Sequence, residues 1–314
     1  MPHGLEPMEK KFSQSAAGTT ILKGVSRSFY LSLRLLPRSM RDAAGLGYLL
    51  ARSSDTIADT ASIPVADRLL WLDDFSHAIH HGTSYTPCAA LLDACTKNEK
   101  ILLENAPENI RWMQSLSDAE QALVREVLNE IISGQRLDLE RFGNASVNRR
   151  MVIEDDDALL DYCQRVAGSV GAFWTKLGFL GEGERFSRES EATMLQWGKN
   201  FGCGLQLVNI LRDRPEDLHV GRYYLPGTAD LPLGDACLHA HDRWLLTAKQ
   251  FIDDGMRYAE ALRGRRLRCA TVLPALIALE TIEKLQAATW QQMEQRVKVT
   301  RPDVFRCLAE AMLF

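Results

Sequence analysis

The sequence lacks the features that identify secreted and membrane-spanning proteins. Its 7 cysteines are dispersed along 314 residues without a CxxC pair, which favours reduced thiols in the cytosol over disulfides or zinc fingers. The opening segment has no apolar run typical of a secretory signal, and Pro274 and Glu280 interrupt the longest apolar stretch near the C-terminus. We expect a cytoplasmic protein without a transmembrane anchor, and peripheral membrane contact stays open.

Neither charge nor sequence pattern points to a nucleic-acid-binding or nucleotide-binding fold. The net charge is −4, so bulk charge suggests neither nucleic acid nor an anionic membrane as a partner, although local patches can differ from this average. No GxGxxG follows a strand, which argues against a Rossmann nicotinamide site. The hydrophobic content of 46% is that of an ordinary globular protein.

Helical periodicity dominates the chain, and neither alternating strands nor a Gly/Ser linker interrupts it. Ser117 and Glu120 have the spacing of a capping box at the start of a long helix. Residues 19–314 are therefore predicted to form one all-α domain, and residues 1–18 a loosely ordered segment. Glycines inside apolar helices indicate close helix packing or space beside a ligand, as in a bundle around a central cavity. These are Gly45, Gly47, Gly168, Gly171, Gly202 and Gly204.

Two segments repeat one pattern of polar residues, YLLARSSDTIAD (48–59) and QLVNILRDRPED (206–217). Offsets of three and four keep residues on one helix face. We call these two faces the first stripe and the second stripe. The first stripe is Tyr48, Arg52, Asp55 and Asp59, and the second is Gln206, Asn209, Asp213 and Asp217.

Paired carboxylates one helical turn apart can bind Mg²⁺ together with phosphate oxygens of a substrate. Arg52 and Arg212 would add fixed positive charge for a diphosphate. A single DxxxD is most often a solvated acidic face. Two of them, each on an apolar helix and preceded by polar residues in register, favour a metal–diphosphate site.

Two local features carry separate predictions. Pro215, between Asp213 and Asp217, predicts a kink or a helix end that displaces Asp217, in which case Glu216 would substitute for it. The segment HAHD (239–242) predicts a surface cluster, because histidines two residues apart do not share a helix face.

Four segments in order resemble the signature regions of squalene and phytoene synthases. This resemblance covers about residues 21–310 and implies the isoprenoid-synthase helical fold. It also implies Mg²⁺-dependent head-to-head condensation of two prenyl diphosphates. The segments are SRSFYLSLRLLP (26–37), YLLARSSDTIAD (48–59), DYCQRVAGSVG (161–171) and LQLVNILRDRPEDLHVGRYYLP (205–226).

The resemblance assigns roles to residues of all four segments. It implies Mg²⁺ ligation by Asp55, Asp59, Asp213 and Asp217, with Gln206 and Asn209 assisting the second pair. It implies diphosphate contacts from Ser26, Arg27, Ser28, Phe29, Arg52 and Arg212. Tyr48, Tyr162 and Tyr224 match tyrosines beside the reacting carbons or on the covering loop.

The final product depends on prenyl length and on how the last cation is quenched. The segment SSDTIADT resembles squalene synthases, which implies two farnesyl diphosphates, presqualene diphosphate as the intermediate, and NADPH. Phytoene, dehydrosqualene or released presqualene diphosphate are alternatives. An inactive scaffold relative is disfavoured because both acid pairs are present, and a terpene cyclase because its second motif would differ. The sequence leaves the oligomeric state open.

Overall fold

The structure is a computed structural model that describes residues 33, 35–228, 234 and 238–314. The predicted loose segment 1–18 lies outside the described residues. The helices are α1 (Arg38–Asp59), α2 (Val65–His81), α3 (Ala89–Ala94), α4 (Lys97–Glu104), α5 (Ala106–Met113), α6 (Asp118–Phe142), α7 (Asp156–Cys163), α8 (Ser169–Glu182), α9 (Glu191–His219), α10 (Leu238–Ala261), α11 (Arg265–Ala287), α12 (Trp290–Glu294) and α13 (Arg301–Leu313).

The all-α prediction is confirmed, and among the residues that the structure describes one short strand pair is the exception. Strands β1 (Met151–Val152) and β2 (Arg222–Tyr223) pair in parallel. The backbone N–H of Ile153 also donates to the carbonyl of Tyr223 at 3.0 Å. This ladder fixes the loop after α9 beside the segment after α6, and so determines where the side chains of Arg222 and Tyr224 lie.

Local capping follows the sequence. The predicted capping box at the start of α6 is present, with the Ser117 hydroxyl accepting from the Glu120 amide and the Glu120 carboxylate accepting from the Ser117 amide. Asp155 caps α7 by accepting from the backbone N–H of Ala158 at 2.8 Å.

Two large apolar clusters form the core. One joins α1, α2 and α6 with the start of α9, and the other joins α9, α10 and α11. Between them, five residues after α7, Gln164–Gly168, form a π-helical turn, a feature often found at functional sites. Within the described residues, no helix has the combined length and apolarity that crossing a lipid bilayer requires.

Glycines let α9 approach both α8 and the π-helical turn before it at backbone distance. A Cβ added at Gly171 would overlap the carbonyl oxygen of Gly198, and one added at Gly202 would overlap that of Ala167. Close helix packing therefore explains two of the predicted glycines, Gly171 and Gly202. Gly47 differs, because its added Cβ would make an ordinary 3.4 Å contact with the ring of Phe173.

Candidate active site

A cavity of about 290 Å³ lies beside the C-terminal half of α1, and we call it the acidic cavity. It is bounded by α1, α6, the segment from α7 to the start of α8, α9 and β2. All four residues of the first stripe line it, together with Gln206 of the second. Its polar lining is Tyr48, Arg52, Asp55, Asp59, Arg68, Gln135, Asp138, Tyr162, Gln206 and Arg222.

The carboxylates of the first stripe are crowded. Burial raises the pKa of Asp55, and the Arg52 guanidinium, which donates to this carboxylate, opposes that rise. Partial burial, then repulsion from Asp55, raises the pKa of Asp59 to about 6, although the Asp59 side chain still reaches solvent. The protein therefore compensates these negative charges incompletely, as expected where a cation is to bind.

The second stripe is divided between two recesses. Gln206 lines the acidic cavity, whereas Asn209 is exposed. Asp213 accepts hydrogen bonds of 2.8 and 2.6 Å from Arg212. These two residues line a separate recess of about 390 Å³, near Arg296 and Lys298.

Asp217 belongs to the charge network of the acidic cavity. Burial raises its pKa to about 7, the Arg222 cation opposes this, and Asp138 adds to it. Of the two outcomes predicted at Pro215, a kink or a helix end, the helix end is wrong, because α9 continues to His219. Leu211 and Leu218 are buried on either side of Pro215, so tertiary packing offsets its lost hydrogen bond. Glu216 is exposed and bonds Arg296 instead of replacing Asp217.

Arg222 is the cation that connects the two stripes, and the sequence analysis missed it. Burial lowers its pKa, but Tyr224 and the carboxylates of Asp138, Asp217 and Asp59 outweigh burial and raise it. The same guanidinium thus lies within electrostatic reach of one acid from each stripe. Its sequence signal, the segment GRYYLP, carries no helical spacing.

Asp138 is the second missed residue, and it anchors one of the predicted tyrosines. Tyr224 Oη donates to Asp138 Oδ1 at 2.6 Å. Burial raises the pKa of Asp138, with Tyr224 and Arg222 opposing the rise. Gln135 and Asp138, three residues apart on α6, both line the cavity, and this pair was the available sequence signal.

Two buried aromatic rings pack behind Tyr162, which lines the acidic cavity. The ring centroid of Tyr224 lies 5.7 Å from that of Tyr162 and 4.5 Å from that of Phe142. The buried Arg68, which also lines the cavity, donates to the carbonyl of Ala58 at 2.6 Å. Arg68, which the sequence analysis did not identify, holds the C-terminal end of α1 beside the cavity.

A second, apolar cavity of about 310 Å³ adjoins the acidic one through shared lining residues, Val166 and Val170. Gly171, Gly198 and Gly202, at the close crossing of α8 and α9, are among the residues that line it. Larger rings bound it, those of Trp174, Phe201 and Tyr258. A charged pocket therefore borders an apolar one.

The donor set suits a hard divalent cation only with help from a ligand. Among residues 33, 35–228, 234 and 238–314, no three acidic, His or Cys side chains are grouped so as to hold a metal ion. Mg²⁺ typically takes one or two protein carboxylates and completes its shell with water and phosphate oxygens. Asp55 and Asp59, one helical turn apart on α1, fit that requirement, and Asp138 lies within electrostatic reach of Asp217.

Two further predictions have separate outcomes. Ser26, Arg27, Ser28 and Phe29 lie outside the described residues. The predicted HAHD surface cluster is wrong for His241, which is 1% exposed on α10. Burial, then the nearby Arg214, lowers its pKa to about 3.

Comparison with known proteins points to one enzyme family. The family profile of squalene/phytoene synthase matches residues 22–303. Presqualene diphosphate synthase of Rhodopseudomonas palustris is 32% identical over 203 residues, 63% of this chain and 58% of that protein. Squalene synthase 1 of Arabidopsis thaliana is 25% identical over 278 residues, 84% of this chain and 63% of that protein. The chain thus spans less than two thirds of the length of these relatives.

The fold has a solved counterpart. The structure of TcSQS with a bound ligand superposes with a TM-score of 0.77 at 24% identity, over 94% of this chain and 85% of that one. At this identity the likeness shows the fold alone. The profile match extends over most of the chain, and the chain therefore belongs to the squalene/phytoene synthase family.

Proposed function

We propose that the chain catalyses Mg²⁺-dependent head-to-head condensation of two farnesyl diphosphates, through presqualene diphosphate, to squalene. The observation that carries this proposal is the junction of two unlike cavities. The acidic cavity offers guanidinium groups for a diphosphate and carboxylates for the Mg²⁺ that would accompany it. The apolar cavity beside it offers space for a prenyl chain. Family membership supports the same reaction class.

The charged residues would bind and orient the diphosphates. Asp55, Asp59, Asp213 and Asp217 would hold Mg²⁺, with Asp138 as a further ligand or a neighbour. Gln206 and Asn209 would assist the second pair. Bound Mg²⁺ would neutralise the charge that develops on a departing diphosphate. Arg52, Arg212 and Arg222 would contact its oxygens, because guanidinium groups match phosphate geometry.

Asp213 must change partner in this scheme, because it pairs with Arg212 in a separate recess. The exchange is available at low cost, since the pair joins adjacent residues that are both about two fifths exposed. A diphosphate that engages Arg212 would free the Asp213 carboxylate.

The tyrosines would protect the carbocation. Aromatic faces stabilise a desolvated cation by about 2 kcal/mol without attacking it. Tyr48 and Tyr162 line the acidic cavity, and the Tyr224 ring lies against that of Tyr162. The hydrogen bond to Asp138 fixes the Tyr224 ring and occupies its hydroxyl group. Val166 and Val170, at the junction of the cavities, would keep water from the reacting carbons.

The proposed product is squalene, and other products of the same reaction class are alternatives. The motif SSDTIADT supports squalene, which requires NADPH to quench the last cation. Release of presqualene diphosphate is the second candidate, because the relative named for that product is 32% identical to this chain. Phytoene or dehydrosqualene would follow if the last cation lost a proton.

Product analysis with purified protein tests these alternatives. Farnesyl or geranylgeranyl diphosphate is incubated with Mg²⁺, with and without NADPH, and the products are identified by mass spectrometry. We expect squalene from farnesyl diphosphate only when NADPH and Mg²⁺ are both present. Presqualene diphosphate in the presence of NADPH would support the second candidate. A 40-carbon product from geranylgeranyl diphosphate would instead indicate phytoene synthesis.

Absence of any condensation would contradict the proposal and favour an inactive scaffold relative. EDTA-treated protein serves as the matched control for the metal. Circular dichroism of each sample separates loss of activity from loss of fold.

A further inference from the structure

The apolar cavity follows α9 for about two turns, which gives it a measurable length. Its lining residues on that helix run from Leu205, the neighbour of Gln206 in the acidic cavity, back to Gly198. The helical distance from Gln206 to Gly198 is about 12 Å at about 1.5 Å per residue. We call the part of the cavity at Gly198 its far end, because on α9 it is the part most distant from the acidic cavity.

Tyr258 of α10 reaches the far end. A Cβ added at Gly198 would lie 2.8 Å from Thr175 Oγ1. The same oxygen lies 2.9 Å from Tyr258 Oη, and Tyr258 lines the cavity. Because the Thr175 hydroxyl donates its one proton to the carbonyl of Gly171 at 2.8 Å, Tyr258 is the donor in the bond to Thr175. This hydrogen bond holds the Tyr258 ring at the far end.

The crossing of α9 and α10 gives Tyr258 the same position. A Cβ added at Gly204 would lie 3.1 Å from Ile252 Cδ1, and one added at Gly255 would overlap the ring of Phe201. Residue numbers therefore fall along α9 as they rise along α10. Tyr258, one turn beyond Gly255, is thus level with the far end of the cavity.

The other side of the cavity is a side wall, and it does not close the far end. Val166, Val170 and Trp174 follow one another at intervals of four residues, so they lie along one face from the acidic cavity outward. Behind Tyr258 lies the buried Phe186, with 6.5 Å between the two ring centroids. Tyr258 therefore separates the cavity from packed core, and shortening its side chain would lengthen the cavity without opening it to solvent.

The length of the cavity matches one prenyl chain better than the next longer one. An extended chain advances about 1.2 Å per bond, as a polypeptide does with three bonds per residue. A farnesyl chain is then about 13 Å long and a geranylgeranyl chain about 18 Å, since each isoprene unit adds four bonds. A fourth isoprene unit would have to occupy the space that the Tyr258 ring fills.

We propose that Tyr258 determines the prenyl chain length, because its ring ends the apolar cavity at the third isoprene unit. The inference rests on the proposed function, and it names the residue that selects the 15-carbon over the 20-carbon diphosphate. Thr175 is a positioning residue in this scheme, since it holds the ring through the hydroxyl group.

Competition between farnesyl and geranylgeranyl diphosphate in the presence of Mg²⁺ tests the proposal. We expect the wild type to favour the 15-carbon substrate by at least about 10²-fold in kcat/KM, and Tyr258→Ala to lower this ratio at least about tenfold. Tyr258→Leu should change the ratio in the same direction by less, and it keeps more of the core packing if Tyr258→Ala does not fold. Tyr258→Phe keeps the ring, so its ratio should stay within about threefold of the wild type.

Tyr85→Ala is the matched control, because it truncates a tyrosine that lines neither cavity and packs on Phe75. Its substrate ratio should equal that of the wild type, and thermal melts must show that every variant folds. The ratio is the decisive quantity, since a merely structural role of Tyr258 would lower turnover of both substrates equally. A ratio that Tyr258→Ala leaves unchanged, or that Trp174→Ala alone changes, would overturn the proposal.

Binding of unreactive thiodiphosphate analogues, measured by calorimetry with Mg²⁺, separates this inference from the proposed reaction. If the wild type condenses neither substrate but binds the farnesyl analogue more tightly, and Tyr258→Ala removes that preference, the reaction is refuted and the role of Tyr258 stands. If the wild type condenses farnesyl diphosphate but neither assay distinguishes it from Tyr258→Ala, the role of Tyr258 is refuted and the reaction stands.

Discussion

The two stripes have almost the same spacing but different surroundings. On α1 all four polar residues line one cavity. On α9 the set divides: Gln206 lines the acidic cavity, Asp217 joins its charge network, and Asp213 bonds Arg212 in another recess.

The neighbours of each helix explain the difference. The acidic part of α1 faces a cavity that α6, the α7 region and α9 enclose. The acidic part of α9 also faces residues of α11 and the segment after α12, where Arg296 and Lys298 provide other cations. Residue spacing thus selects a helix face, and the cations around that face determine which recess each acid occupies.

Loss of an acid from the intact stripe should have the largest effect. Asp59→Asn should lower kcat/KM at least about 10³-fold, since the proposed role of Asp59 as a Mg²⁺ ligand would contribute about 4 kcal/mol to the transition state. The measurement is turnover of radiolabelled farnesyl diphosphate. Asp67→Asn, an exposed acid at the start of α2, is the control and should leave activity within about twofold. Equal losses of kcat/KM in the two variants would show that Asp59 contributes no more to activity than an exposed acid outside the first stripe.

Neutralising the cation shared by the stripes should have the next largest effect. Arg222→Gln removes the charge that faces Asp59, Asp138 and Asp217, so we expect a loss of about 10² in kcat/KM. Arg222→Lys should retain part of this activity because it keeps the charge but not the planar geometry. Arg149→Gln is the matched control, because Arg149 is an exposed arginine in the loop before β1. Wild-type activity in Arg222→Gln would show that the stripes work independently.

The burial of His241 beside Arg214, on the same helix as the second stripe, should make the folded protein less stable at acidic pH. The pKa of His241 is about 3 in the folded state and 6.5 as the ordinary value, because burial and Arg214 disfavour its charged form. The unfolded chain therefore binds the proton first, and stability falls as the pH drops below 6.5. Between pH 6.5 and 4 this residue should remove about 3 kcal/mol from the free energy of unfolding.

Urea denaturation at several pH values, on the wild type and His241→Leu, measures this effect. The difference in unfolding free energy between the two proteins should change by that amount over the interval. A difference that stays constant with pH would show that His241 is not buried in its neutral form.

Glycine substitutions on α9 and α1 should have the smallest effect. They compare how tightly each of these helices packs against its neighbours. Gly202→Ala on α9 should lower the free energy of unfolding by about 2 kcal/mol, because its Cβ meets the backbone of Ala167. Gly47→Ala on α1 meets only the Phe173 ring at 3.4 Å and gains helix propensity, so it should be near neutral. Denaturant midpoints provide the comparison. A Gly202→Ala variant as stable as Gly47→Ala would contradict the tight crossing.

The fold class and the first stripe could be predicted from the sequence because each depends on local periodicity. The capping box at Ser117 and the polar face from Tyr48 to Asp59 need no knowledge of distant residues. Arg222 and Asp138 could not be found this way. Arg222 reaches the site through the pairing of β2 with β1, which residues about 70 positions apart create.

Burial and packing explain the errors. By local rules Pro215 predicted a kink or a helix end, but the packing of Leu211 and Leu218 keeps α9 continuous. The histidines of HAHD looked like surface residues, yet the tertiary fold buries His241 on α10. Both errors arise because local propensity is a weak force compared with the burial of large apolar side chains.

Kinetics of Asp55→Asn, Asp213→Asn and the double variant test whether the two stripes serve one diphosphate site. If both acids act on the same bound group, each single variant should lose at least about 10²-fold in kcat/KM and the double variant little more, because residues that act as a unit are not additive. Wild-type turnover by Asp213→Asn, with the Asp55→Asn variant inactive, would contradict it.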